Sequence, residues 1–371
     1  MRVIQIANDY LNSGLYMKLF EAQNREGIDN VIFVPVDYRN KIKIDNVYIY
    51  PCFSQLDRIL YYPKQKKIII GLENIIDIKN IDIIHAHTLF SAGYTALKLK
   101  EKYNIPYIVA VRNTDVNIFF ELAPHLKRVG IKVMQNADRV IFLSPAYQHT
   151  VIKKYVPNNM RREIYRKSLV IPNGISEFFL DNCLNEKRAA IKNTKDIKLI
   201  YAGEVNQNKN LRETIKAAKI LKNRGYEISI IVVGEITDSK CREFIKEDCV
   251  EYHKKCSQEQ LIKYYRKADI FVMPSHTETF GLVYAEAMSQ GLPVLYTRGQ
   301  GFDGHFADGH VGYAVSDLDE RDLADKIEMV INRYCEISAN CLDGCQRFNW
   351  NLISRKYNIV YQKIMMGSSG R

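Results

Sequence analysis

The chemistry of this sequence centres on two glutamates eight residues apart, Glu278 and Glu286. They lie in the run Pro274-Ser275-His276-Thr277-Glu278-Thr279-Phe280-Gly281-Leu282-Val283-Tyr284-Ala285-Glu286-Ala287-Met288. An apolar strand pattern ends at Met273, a polar loop carries Glu278, and a helix pattern begins near Gly281 with Glu286 in its early turns. Gly291-Leu292-Pro293 then leads into another strand. Free backbone N–H groups at the start of a helix attract an anion, and a glycine there permits close approach. A carboxylate on each side accepts hydrogen bonds from sugar hydroxyls. The segment therefore suits a sugar diphosphate. Two glutamates at this spacing without such a context would more often mark an exposed helix face.

The surrounding pattern supplies the elements that must position this loop. Arg2–Ala7, Val31–Pro35, Ile81–His85, Tyr107–Val111, Arg139–Leu143 and Leu169–Ile171 read as short buried strands. Residues 37–66 are less regular. A second series follows at Ile197–Ala202, Ile228–Val233, Cys249–His253, Ile270–Met273 and Pro293–Leu295. Helical stripes separate the strands, including Leu211–Asn223, Ser239–Glu247, Gln258–Arg266, Leu282–Ser289, Glu320–Arg333 and Asn351–Met365. Such alternation predicts an α/β protein with two Rossmann-like domains, residues 1–174 and 175–349, joined through the polar stretch 175–195. Ligands of open parallel sheets bind at the carboxyl ends of strands, which directs attention to the loops after strands.

The 371 residues include 53 Lys+Arg and 42 Asp+Glu, and the net charge is +11. With 47% apolar residues the chain is globular, and no apolar run approaches the roughly 20 residues of a membrane span. The amino terminus reads as a strand, without the features of a signal peptide. Eight cysteines show no C-x-x-C pair, so reduced, cytoplasmic thiols are expected, with no structural metal. Residues 1–172 hold 25 Lys+Arg and 15 Asp+Glu, so the positive charge lies almost wholly in the first half. An anionic membrane surface or polyanion facing that half, or a proteome rich in Ile, Lys and Asn, accounts for it equally well. Residues 367–371, Gly-Ser-Ser-Gly-Arg, read as an expression scar.

Taken together the motifs resemble retaining glycosyltransferases of the GT-B fold, family 4, of the bacterial polysaccharide and lipopolysaccharide type. Glu278 and Glu286 match the family's E-x7-E motif. Ile83-Ile84-His85-Ala86-His87, Asn136-Ala137-Asp138-Arg139, Ile171-Pro172-Asn173-Gly174, Tyr264-Tyr265-Arg266-Lys267-Ala268-Asp269 and Gly309-His310-Val311-Gly312-Tyr313 match in order and spacing over nearly the whole chain. The resemblance implies two domains facing across a cleft, an acceptor-binding first and a donor-binding second. It also implies a last helix, about residues 350–366 and opened by Trp350, that returns to the first domain. It assigns Glu278 to a donor-sugar hydroxyl near the reacting carbon and Glu286 to the ribose. The backbone of Phe280, Gly281 and Leu282 would meet the diphosphate or sugar. Lys209 occupies the lysine of the family's phosphate-binding pair, but Glu204 replaces its arginine. Arg112, in Arg112-Asn113-Thr114-Asp115, takes the place of a family histidine and could supply the missing cation or pair with Asp115. Gly14, after Ser13, matches the glycine-rich first loop.

Other residues carry weaker expectations. His85 and His87 are expected to point to opposite faces of a strand end, with His87, and Asp115 beyond it, on the acceptor side; a satisfied core histidine is an equal reading. Asp317-Leu318-Asp319 reads as a helix cap rather than a metal motif. Gly299-Gln300-Gly301 either lines the donor pocket or is an ordinary loop. His305, Asp308 and His310 lack ligand spacing, so no metal and no cofactor are expected. The expected partners are a nucleotide-sugar, UDP-linked before GDP-linked, and a hydroxyl acceptor on a glycan or lipid, met at the inner face of the cytoplasmic membrane. No basic recognition motif suggests nucleic acid. A sugar-nucleotide 2-epimerase on the same fold and a non-catalytic nucleotide-binding module are the alternatives.

Overall fold

The computed structural model describes residues 1–368 apart from Gln55, Ile59 and Lys192. The chain forms two compact units. The first comprises residues 1–143, 148–172 and the chain from Trp350 onward; the second comprises residues 144–147 and 173–349. Ser369–Arg371, within the expected expression scar, lie outside the described residues, whereas Gly367 and Ser368 continue the last helix.

The first unit holds seven strands: β1 Arg2–Ile6, β2 Asp29–Asp37, β3 Val47–Phe53, β4 Ile83–Ala86, β5 Tyr107–Ala110, β6 Arg139–Phe142 and β7 Ser168–Val170. They form one parallel sheet in the order β3-β2-β1-β4-β5-β6-β7. The second unit holds β8 Asp196–Ala202, β9 Glu227–Val233, β10 Val250–His253, β11 Ile270–Val272, β12 Val294–Thr297 and β13 Gly312–Val315. Its parallel order is β10-β9-β8-β11-β12-β13. In each sheet the strand order reverses once, at β1/β4 and at β8/β11. At such a reversal the connections leave for opposite faces and open a crevice beyond the carboxyl ends of the two strands.

The last helix, Trp350–Ser368, packs on the first sheet. Trp350, Ile353, Tyr357, Tyr361 and Ile364 share a buried core with Val3, Val34, Ile83, Ile108 and Ile141. The irregular stretch 37–66 contains the edge strand β3 and the start of a helix, Tyr61–Ile75, that includes Ile68-Ile69-Ile70. Pro51 masks the strand pattern in the sequence, and Pro63 with Lys64, Lys66 and Lys67 masks the helical one. The helix expected at Ser239–Glu247 is instead two short 3-10 turns, Ser239–Cys241 and Phe244–Lys246. The polar join is folded onto the second unit. Ile175 N–H donates to Phe348 O at 2.9 Å, and the Arg188 guanidinium donates to the carbonyls of Gln290 and Tyr265 at 2.8 Å each. All eight cysteines are free thiols. Among the described residues, no helix is long and apolar enough to cross a membrane.

Candidate functional site

In the second unit, the loops after β8 and β11 meet at the strand-order reversal. Asparagines join them. Thr277 N–H donates to Asn208 Oδ1 at 3.0 Å, and Asn208 Nδ2 returns a bond to Thr277 O at 3.0 Å. Asn210, buried and in the left-handed region at φ 58°, donates to Pro274 O and Asp317 O at 3.0 and 2.8 Å. Lys209 lies between these two residues, and its Nζ is 2.5 Å from Glu278 Oε2. The pair is largely withdrawn from water, with side-chain exposures of 23% and 14%, which strengthens its attraction.

A second lock fixes Glu278. Its N–H donates to Gln300 Oε1 at 3.0 Å, and its carbonyl accepts from Gly301 N–H at 2.7 Å. A Cβ on Gly301 would fall 2.0 Å from the Thr279 carbonyl carbon, so glycine is required there. Gly281, at φ +75°, caps the short helix Leu282–Met288; a Cβ on it would sit 2.3 Å from the Tyr284 ring. Tyr284 is itself pinned by a 2.6 Å bond to Met273 O. Phe280 is buried beside this turn. The N–H groups of Phe280, Gly281 and Leu282 meet no protein acceptor among the described residues.

Glu286 lies on the same short helix. Its carboxylate has no hydrogen-bond or ion-pair partner among the described residues, and burial pushes its carboxyl up to about 7. Some of its surface remains open. A desolvated acceptor without a donor is costly to the chain and ready for a ligand that brings hydroxyls. Glu204, at the position of the family's arginine, is exposed. Its carboxylate is held by Asn206 Nδ2 at 3.0 Å and Thr237 Oγ1 at 3.4 Å. Asp319 caps the helix Glu320–Asn332 as expected, while Asp317 pairs with His276 Nδ1 at 2.8 Å.

In the first unit, Gly14 opens the helix Gly14–Arg25 after β1, with Ser13 as its cap. A Cβ on Gly14 would meet nothing within 4 Å, so packing does not demand glycine there. Asp115 is fully buried and accepts from the backbone N–H groups of Leu89, Phe90 and Arg112 at 2.9, 3.1 and 2.8 Å. Burial lifts its carboxyl to about 6 against the pull of those three N–H groups and the Arg112 charge. The half-buried Arg112 donates from Nε to His87 O at 3.2 Å.

His85 and His87 correct the expected geometry. Their rings stack at 3.9 Å, on one face. Side chains two residues apart on a strand share a face, and only neighbours alternate. Both histidines are fully buried, and burial holds both well below the usual range. His87 Nε2 bonds Gln5 Oε1 at 2.8 Å, and His85 Nδ1 bonds the Tyr361 hydroxyl at 2.7 Å. An amide oxygen only accepts, so His87 carries its proton on Nε2. His87 thus lies under the surface in a polar network.

Gln300 is the positioning residue that sequence reasoning left unassigned. Its only signal was the glycine on each side, and its partner Glu278 lies 22 positions away. Among the described residues, no group of three His, Cys, Asp or Glu could hold a metal ion.

Residues 184–341 match the family described as "Glycosyl transferases group 1", and residues 17–177 match "Glycosyltransferase Family 4". The chain belongs to this glycosyltransferase family. An uncharacterized glycosyltransferase of Methanocaldococcus jannaschii is 25% identical to it over 79% of this chain and 78% of the relative. The capsular polysaccharide biosynthesis glycosyltransferase CapM of Staphylococcus aureus is 30% identical over 53% of each chain. In fold, this glycosyltransferase matches HepE of Anabaena, solved in complex with UDP. The TM-score is 0.70 at 16% identity, over 98% of this chain and all of that one.

Proposed function

We propose that this glycosyltransferase moves a sugar from a UDP-sugar to a hydroxyl of a glycan or lipid-linked acceptor at the cytoplasmic face of a membrane, with retention at the anomeric carbon. The observation that carries this reading is the Lys209–Glu278 pair at the reversal of strand order in the second unit, followed by the unpartnered Glu286 on the helix Leu282–Met288. A UDP complex of the fold neighbour HepE and the polysaccharide role of CapM support the donor and the acceptor class.

The residues divide the work by chemistry. Glu286 accepts hydrogen bonds from the ribose hydroxyls. Glu278 accepts from a hydroxyl of the donor sugar and orients it. The Lys209 ammonium and the free N–H groups of Phe280, Gly281 and Leu282 stabilise the charge that grows on the leaving diphosphate. The bond from the anomeric carbon to the diphosphate oxygen breaks, and the acceptor oxygen bonds to that carbon on the same face. The departing phosphate oxygen takes the acceptor's proton. Nothing in this scheme needs a covalent sugar–enzyme adduct or a bound metal. Arg112, at the carboxyl end of the first sheet, supplies a permanent cation for an anionic group of donor or acceptor, and Gly14 leaves room for its approach.

The test screens UDP- and GDP-sugars for thermal stabilisation and donor hydrolysis, then determines the anomeric configuration of a transferred product by NMR. Stabilisation by UDP-sugars and a retained configuration are expected. An inverted product overturns the mechanism, and a donor-only incubation that yields an epimer replaces the transferase reading.

A further inference from the structure

Six large apolar side chains, Tyr38, Leu56, Leu60, Tyr62, Ile118 and Leu122, are at least half exposed in the loops, short turns and helix start that follow strands of the first unit, and Leu56 and Leu122 expose 77% and 75%. All follow the carboxyl ends of strands. Tyr38 comes after β2, and Leu56, Leu60 and Tyr62 come after β3. Ile118 and Leu122 lie in and just beyond the π-helical turn Asp115–Phe120 after β5. Ring contacts join the last two groups: Tyr61 lies 5.3 Å from Tyr62 and 6.4 Å from Phe119. Scattered exposed leucines need no explanation, but apolar side chains gathered at one end of a sheet do.

The charge left over beside them is positive: Asp37, Asp57 and Glu121 also border the apolar side chains, but Arg39, Lys67 and Lys154 pair with them at 2.9, 2.8 and 2.8 Å. The helix Tyr61–Ile75 carries Lys64, Lys66 and Lys67 in its first half. Its acid, Glu73, is already bound by Lys102 at 2.9 Å and Tyr103 at 3.0 Å. Lys66 is exposed and has no acidic partner among the described residues, and Lys64 Nζ lies 4.3 Å over the Phe53 ring. Lysines set next to exposed Tyr, Leu and Ile match the interface of an anionic bilayer.

This rim is also wired to the candidate site. Tyr61 OH donates to Phe90 O at 2.8 Å, and Phe90 N–H donates to Asp115, whose other oxygen holds the Arg112 N–H. We propose that Tyr38, Leu56, Leu60, Tyr62, Ile118 and Leu122 form, with Lys64 and Lys66, a docking surface for anionic phospholipid. Seated there, the chain meets a lipid-linked acceptor at the end of the sheet that carries Arg112. The surface rests on the transferase reading above. It is tested without donor or acceptor, so the two ideas fail in separate measurements.

The experiment sediments the full chain with phosphatidylcholine vesicles, with and without phosphatidylglycerol, at low and at physiological salt. Tighter binding to the anionic vesicles, weakened by salt, is expected. Replacing Lys64→Gln with Lys66→Gln should weaken that binding roughly tenfold or more and flatten its salt dependence. Replacing Leu56→Ser with Leu60→Ser should weaken binding to both kinds of vesicle. Neither pair should change thermal unfolding or UDP-sugar hydrolysis without vesicles. Absence of binding to anionic vesicles at low salt overturns the proposal, as does binding that survives the leucine pair unchanged. A dimer in sedimentation equilibrium that the leucine pair dissociates would overturn it too, by assigning the rim to a second copy of the chain.

Discussion

Asp115 and Glu286 are both carboxyls in the loop or helix that follows a central parallel strand, and burial raises both, to about 6 and about 7. They differ in what the chain gives back. Asp115 is met by three backbone N–H groups, so its hydrogen-bonding capacity is spent on holding Arg112 and the start of the Leu89–Phe90 loop. Glu286 is met by none. A saturated buried carboxylate positions its neighbours, and an unsaturated one awaits a ligand. The contrast favours a positioning role for Asp115 behind Arg112 over the expected contact with the acceptor. It supports the binding role proposed for Glu286.

The sharpest break would come at the active pair. Lys209→Ala removes the cation nearest Glu278, and turnover should fall by roughly 10²–10³. A smaller loss in donor hydrolysis would mean that other groups carry the phosphate charge. Next comes Asp115→Asn, which leaves buried N–H groups facing an amide. Stability should fall by about 2–3 kcal/mol in urea unfolding, with UDP affinity retained. Loss of UDP affinity without loss of stability would return Asp115 to the ligand.

Glu286→Gln should weaken UDP binding about tenfold in calorimetry, with a much smaller change in turnover at saturating donor. Its pH behaviour sharpens the comparison. The folded chain holds this proton up to about pH 7, whereas the ordinary carboxyl releases it near 4.5. Its effect on stability therefore turns unfavourable as pH rises through that window and stays so above it. Glu286→Gln should accordingly stabilise the ligand-free chain more at pH 8 than at pH 5. UDP affinity should rise with pH through about 7 in the natural chain and stay flat in the variant. The smallest effect is expected at Gly14→Ala. Its Cβ enters open space, so the unfolding midpoint should hold. A rise in KM of a fewfold would mark ligand approach, and unchanged kinetics would remove Gly14 from the site.

Much of the second unit's site was legible because its signals are local. Glu278, Gly281 and Glu286 sit within nine residues, and strand, loop and helix follow in order. Lys209 is 69 positions from Glu278, and only its match to the lysine of the family's phosphate-binding pair marked it. The Asn208 and Asn210 bonds that carry it there join separate segments and leave no periodicity to read. The same holds for Gln300. Asp115 was visible as a residue but not as a role, since only coordinates reveal which N–H groups surround a carboxylate. The edge strand β3 escaped because Pro51 interrupts it, and the helix after it because Pro63 and interleaved lysines break its hydrophobic pattern.

The return of the last helix has a consequence for how the protein comes into being. The hydroxyl that meets His85 belongs to Tyr361, made 276 residues later, and Trp350 and Ile353 fill the same core. A ribosome that has released the first 172 residues has produced a sheet with one face unfinished. That face stays open through the synthesis and folding of the whole intervening unit, a period in which chaperones and premature association compete for it. A fragment ending before Trp350 would carry the same unfinished face permanently.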